Sequence, residues 1–158
     1  MFGIAFGRRH SRSLITALDW SAVLEVAREH ARAAGLDRRV RTIAGSAFDP
    51  DLDAPYDLIL VPNFLHHFDP ATGERLMTRV REALAPAGRA VIVEFVPDEG
   101  RVTPPHAAMF SLVMLCSTPA GDAYTFAELD AMLRRAGFGG SELRVLGPGG
   151  PQVIISQR

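Results

Sequence analysis

The chain's 158 residues are a one-domain length, and 47% hydrophobic with 22% charged residues is the balance of a globular fold, not of a disordered one. A formal net charge of -1 and a pI near 6.5 provide no global field for nucleic acid or an anionic membrane, so the expected partner is a small molecule or another protein. Cys116 is the single cysteine, which excludes an intrachain disulfide and any multi-thiolate metal centre and predicts a reducing, cytoplasmic setting.

In chain order, Met1 to Arg9 lacks the charged, apolar and small-residue regions of a secretory signal. It reads as a helix whose basic cluster, Arg8, Arg9, His10 and Arg12, marks a solvated C-terminus. Four short apolar runs follow as predicted strands: Leu14 to Asp19, Val40 to Gly45, Tyr56 to Val61 and Arg89 to Val96. Their near-continuous apolarity predicts burial. Between the first two, Val23, Val26, Ala27, His30, Ala31 and Ala34 recur at helical spacing, with Ser21 as the N-cap and Gly35 just past the end. A second helix starts at Asp69-Pro70, carries Met77, Val80 and Leu84 on one face, and stops at Ala85-Pro86-Ala87-Gly88.

The longest apolar stretch, Ala107 to Cys116, falls short of the roughly 20 residues that cross a bilayer. It is expected to be a buried or substrate-facing helix. A third helix opens with the capping box Thr125-Phe126-Ala127-Glu128, buries Leu129, Met132, Leu133 and Ala136, and ends at Gly137. Ser141 to Leu146 and Gln152 to Ser156 are joined by Gly147-Pro148-Gly149-Gly150-Pro151, too short for a helical crossover, which predicts an antiparallel hairpin. Strands alternating with helices predict an α/β fold, a mostly parallel sheet covered on both faces and closed by that hairpin.

The chemistry-bearing residues sit at strand ends, where ligands bind in open α/β sheets. Asp19, in Thr16-Ala17-Leu18-Asp19-Trp20, suits an acid that accepts hydrogen bonds from ribose hydroxyls; the alternative is a helix-start acid beside Ser21. The usual spacing of roughly 20 residues from a glycine fingerprint to that acid puts the fingerprint at or before Met1; Gly3 and Gly7 fall inside the first helix. His66, after the third strand, can accept a proton. A phenol with a pKa near ~10 is a poor nucleophile, and a neutral imidazole near ~6.5 can take its proton as attack proceeds. Glu94, inside Val91-Ile92-Val93-Glu94-Phe95, is an acid in a run too apolar to leave it without a partner.

On Gly45-Ser46-Ala47-Phe48, on Tyr56-Asp57-Leu58-Ile59-Leu60-Val61-Pro62-Asn63-Phe64-Leu65-His66-His67-Phe68-Asp69 and on Glu94, the whole chain resembles the catalytic domain of plant-type and polyketide-tailoring O-methyltransferases. The resemblance implies a Rossmann-like class I methyltransferase sheet, N-terminally truncated: the helical dimerisation domain, the first strand and its glycine loop are expected to lie outside residues 1–158. It implies S-adenosylmethionine as cofactor, held by Asp19, Trp20, Ser46, Ala47, Phe48, Pro62 and Asn63, with Ser46 standing where the family usually has an acid. His66 matches the general base and Glu94 the carboxylate beside it, while Asp122 is an imperfect match to a second one. His67, Met109, Phe110 and Met114 match the acceptor side.

Plain alternatives stay open beside these roles. Phe48 equally suits core packing, each apolar residue of the 107–116 helix equally suits the core, and the histidine pair equally suits a pocket-shaping role. The implied reaction is methyl transfer to a hydroxyl, phenolic in kind, on a small metabolite, with no metal required. The implied partners are that acceptor and either a homodimer or a complementing N-terminal segment, with no nucleic acid and no membrane. The rival from another class is a catalytically silent remnant that binds a partner. A nicotinamide-binding reading leaves the Leu65-His66-His67-Phe68 segment and the terminal hairpin unexplained.

Overall fold

The structure, a computed structural model, describes residues 2–49, 52, 55–147 and 152–158. The chain divides into two compact units, residues 1–52 and 53–158. In the first, helix α1 (Phe2–Arg9) leads into strand β1 (Ile15–Asp19), helix α2 (Ser21–Ala33) and strand β2 (Val40–Ala44). β1 and β2 pair in parallel from Ile15 opposite Val40 to Asp19 opposite Ala44. Arg39 donates to Gly7 O in the last turn of α1 (2.8 Å) and, beyond the helix, to His10 O (3.0 Å) and Ser13 O (3.2 Å).

Two details of α2 correct the sequence reading. The N-cap is Trp20 in extended conformation, without a side-chain cap, and Ser21 is the first helical residue. The buried residues are Leu24 and Ala31, whereas Val23 and Val26 are about half exposed. The stripe that begins one residue later, at Leu24, is the one that meets the core. The C-terminal signal holds: Gly35 takes φ +68°, its N–H reaches Arg32 O, and the Leu36 N–H reaches Ala31 O. A left-handed residue at this point closes the last turn and lets Leu36 fold back into the core, 4% exposed.

The second unit orders β3 (Tyr56–Pro62), α3 (Pro70–Ala83), β4 (Leu84–Glu94), α4 (Pro105–Ser117), α5 (Phe126–Arg135), β5 (Ser141–Val145) and β6 (Gln152–Gln157). Its sheet runs β3-β4-β6-β5, with β3 parallel to β4 and the last two pairings antiparallel. The expected antiparallel closing pair is therefore present; residues 148–151 of its connection lie outside the described residues. β4 begins at Leu84, not Arg89, and ends at Glu94, not Val96. Tyr56 pairs with Leu84 and Leu58 with Arg89, so Ala85 to Gly88 bulges from the ladder. Helix α3 ends at Ala83 directly into strand, which no turn residue announces.

Two helix starts in this unit follow the sequence signals. Asp69 caps α3 by accepting the Thr72 N–H (3.0 Å), with Pro70 in the first turn. Thr125 and Glu128 make the reciprocal capping box of α5. Ile92 and Ile154 from the sheet, Leu65, Met77 and Leu84, and Leu129, Met132 and Leu133 from α5 are at most 1% exposed. Burying each such side chain contributes about 1.5–3 kcal/mol. That core fixes the carboxyl ends of β3 and β4, where the candidate site lies.

Candidate active site

At the end of β3 the chain turns sharply. Asn63 adopts φ +51° and donates its N–H to Val93 O (2.8 Å), the last rung towards β4. Leu65 to His67 then forms a single 3-10 turn anchored by Leu65, which is 0% exposed. Such a turn leaves its first backbone N–H groups without helical partners. Glu94, at the carboxyl end of β4, supplies them: its Oε1 accepts from Phe64 N (3.0 Å) and Leu65 N (2.9 Å). Its Oε2 lies 2.6 Å from His66 Nδ1.

His66 and Glu94 are each 5% exposed. An ionised carboxylate has only acceptors, so Nδ1 carries the shared proton and Nε2 the lone pair of the neutral ring. One side chain thus holds both the backbone of the turn and the tautomer of the histidine. In that tautomer the ring's lone pair lies at Nε2, the nitrogen not engaged by Glu94.

Aromatic groups surround this pair. The Phe110 ring on α4 meets His66 edge-on at 4.8 Å and stacks on Phe95 at 4.0 Å. His67 lies 4.4 Å from His66, centroid to centroid. Partial burial, reinforced by the neighbouring His66, holds His67 below the ordinary histidine range, against the pull of Glu94. His67 therefore favours its neutral form near neutral pH.

Of the residues expected on the acceptor side, Phe110 and His67 come against His66. Met114 is buried in the packing and Met109 is 65% exposed. The expectation that residues 107–116 form a buried or substrate-facing helix is only partly met, because Leu112, Val113 and Leu115 are also exposed. A helix apolar on every side can turn only one of them inward.

Three neighbours went unnoticed in the sequence. Gly121 packs on the His66 carbonyl so closely that a Cβ would overlap its oxygen. Tyr124 donates to Phe68 O (2.5 Å), and burial, with Asp122 and Asp69 adding to it, pushes its phenol up to about 12. Asp122, the imperfect second carboxylate, is paired with Arg101 at 2.9 Å. Gly121 and Tyr124 stand just ahead of the capping box, a signal that could have drawn notice; Arg101 had none.

The residues expected to hold the cofactor fall in both units. In the first, Asp19 ends β1, is exposed, and accepts the Trp20 N–H (2.8 Å). Trp20 itself is 64% exposed. An exposed carboxylate at the carboxyl end of a parallel strand is an acceptor for paired ribose hydroxyls, so Asp19 fits the expected cofactor. Ser46 serves its own loop: its Oγ accepts the Phe48 N–H (3.0 Å) and its N–H goes to Asp49 Oδ2 (2.9 Å). Ala47 and Phe48 are half-buried. In the second unit, Pro62 closes β3 and the exposed Asn63 follows it. Among the described residues no helix is long and apolar enough to cross a membrane.

Comparison with known proteins places this geometry. Residues 5–139 match the model of the O-methyltransferase domain family. Acetylserotonin O-methyltransferase of Mus musculus is 36% identical over 148 residues, covering 91% of this chain and 37% of that protein. The 3-hydroxy-5-methyl-1-naphthoate 3-O-methyltransferase of Streptomyces sahachiroi is 32% identical over 150 residues, 93% of this chain and 43% of that protein. A crystal structure from Nostoc punctiforme, of a protein provisionally named an O-methyltransferase, superposes with a TM-score of 0.97 at 50% identity over 99% of this chain and 48% of that one. The chain spans less than half the length of each of these relatives. With its class I methyltransferase architecture and the matched span, the chain belongs to the O-methyltransferase domain family.

Proposed function

We propose that this chain serves S-adenosylmethionine-dependent methyl transfer to a hydroxyl, phenolic in kind, of a small metabolite, with His66 as general base. The observation that carries the reading is the 2.6 Å contact of His66 Nδ1 with a buried Glu94 carboxylate. Two relatives are named for transfer to oxygen on acetylserotonin and on a hydroxylated naphthoate, which supports an aromatic acceptor. The single cysteine of the chain supports a cytoplasmic setting.

When bound, the cofactor supplies a methyl group already activated on a sulfonium. Asp19, exposed at the end of β1, would hold its ribose hydroxyls as acceptor. His66 Nε2 receives the acceptor's O–H proton as the oxygen gains negative charge, and Glu94 keeps Nδ1–H in place and favours the resulting imidazolium. Phe110 and Phe95 shield the ring from water. His67, kept neutral, adds no positive charge against that imidazolium. Positioning of the oxygen supplies most of the acceleration, since the methyl donor needs no further activation.

The test is methyl transfer to a panel of simple phenols by the wild-type chain and by His66→Gln, with S-adenosylhomocysteine affinity measured in both. Turnover reduced by about 10²–10⁴ at unchanged affinity supports the base role. Equal turnover in the two chains contradicts it.

A further inference from the structure

Residues 98–128 hold a side-chain cluster that the proposed chemistry leaves unused. Helix α4 brings Phe110 to His66, yet its own packing anchors it weakly: Ala107 and Met114 are its buried residues, and Met109, Leu112, Val113 and Leu115 are 52–75% exposed. Its two flanks supply the restraint. Ahead of the helix, Asp98 accepts from Val102 N (2.8 Å), Thr103 N (3.0 Å) and Thr103 Oγ1 (2.6 Å), folding a compact turn. Arg101 stands in that turn at φ +54°, a left-handed conformation that costs a non-glycine residue energy and aims its side chain.

The Arg101 guanidinium grips the chain beyond α4. Nη1 donates to Asp122 Oδ2 (2.9 Å) and to Ala123 O (3.2 Å), and Nη2 donates to both Glu128 oxygens at 2.8 Å. One side chain therefore closes residues 101–122 into a loop around the helix. The residue next to the grip, Gly121, is the one packed on the His66 carbonyl. Four directed hydrogen bonds need the planar fork of arginine; a lysine ammonium could hold one carboxylate but not this geometry.

We propose that Arg101 is a positioning residue, a clamp that keeps Phe110 against His66 and thereby sets the affinity for the acceptor. The acceptor part rests on the methyl-transfer reading of His66; the clamp itself does not. Because the Arg101 side chain is 36% exposed, its ion pairs contribute little to global stability, and Arg101→Gln is expected to stay folded.

The experiment compares Arg101→Gln with the wild-type chain by amide hydrogen exchange, by the ring-proton resonances of His66, and by steady-state kinetics with a phenol. Expected are faster exchange in residues 105–117 with β4 unchanged, a shift of the His66 resonances as Phe110 leaves its edge-on position, and a raised acceptor KM. If the competent arrangement falls to about one-tenth of the population, KM rises about tenfold, while kcat stays within about twofold. Arg101→Lys should not restore the wild-type values, and Asp122→Asn, which removes one arm of the grip, should move them the same way by less. Unchanged exchange and unchanged His66 resonances would overturn the clamp, and faster exchange with an unchanged KM would overturn its role in acceptor affinity. A wild-type chain inactive on every phenol would instead reject the reading of His66, and the exchange and resonance data would still decide the clamp.

Discussion

Two acids occupy equivalent places in this fold, each the last residue of a parallel strand, and they live in opposite surroundings. Asp19 ends β1 in the open and accepts from the N–H of its own neighbour, Trp20. Glu94 ends β4 at 5% exposure and accepts from two backbone N–H groups and a histidine thirty or fewer residues earlier. An acid that is exposed is free to serve a ligand and costs the fold nothing when removed. One that is buried is committed to its neighbours, and its removal is felt by both the fold and the chemistry.

Removing the buried acid should therefore separate the two most widely. Glu94→Ala leaves two N–H donors and a histidine unpaired and is expected to lower stability by about 3–5 kcal/mol in denaturant unfolding. Gly121→Ala tests the same pocket from its other wall. Its new Cβ meets the His66 carbonyl, so a loss of about 1–3 kcal/mol is expected, with the His66 resonances displaced. Asp69→Ala removes an ordinary helix cap a few residues away and should cost about 1 kcal/mol without displacing them. The smallest effect on stability belongs to Asp19→Ala, within about 0.5 kcal/mol. By calorimetric titration the same variant should lose S-adenosylhomocysteine binding. A stability loss for Asp19→Ala as large as that for Glu94→Ala would erase the distinction.

The sequence announced the positions of both acids and a partner for Glu94, but not the two backbone N–H groups that Glu94 also holds. Signals that act within a few residues were readable: the caps at Asp69 and Thr125, the left-handed Gly35, the apolar runs that became strands, and the acid set inside one of them. The phase of α2 was misread by one residue because Val23 and Leu24 are adjacent and equally apolar, and only packing chooses between them. α4 carried no phase at all, since it is apolar on every side. The start of β4 at Leu84 was hidden because the helix passes into the strand with no turn residue between them. The Arg101 grip joins residues 21 to 27 positions apart, and no local pattern encodes it.

The central claim is that His66, oriented by Glu94, takes the proton from the acceptor. Its most direct test is the pH dependence of single-turnover methyl transfer to a phenol in the wild-type chain and in His66→Gln, with cofactor and acceptor saturating. At neutral pH, where the phenol keeps its proton, the wild-type chain should outpace His66→Gln by about 10²–10⁴. His66→Gln should follow only the ionisation of the phenol, near ~10. A variant that keeps the wild-type rate at neutral pH would contradict the claim.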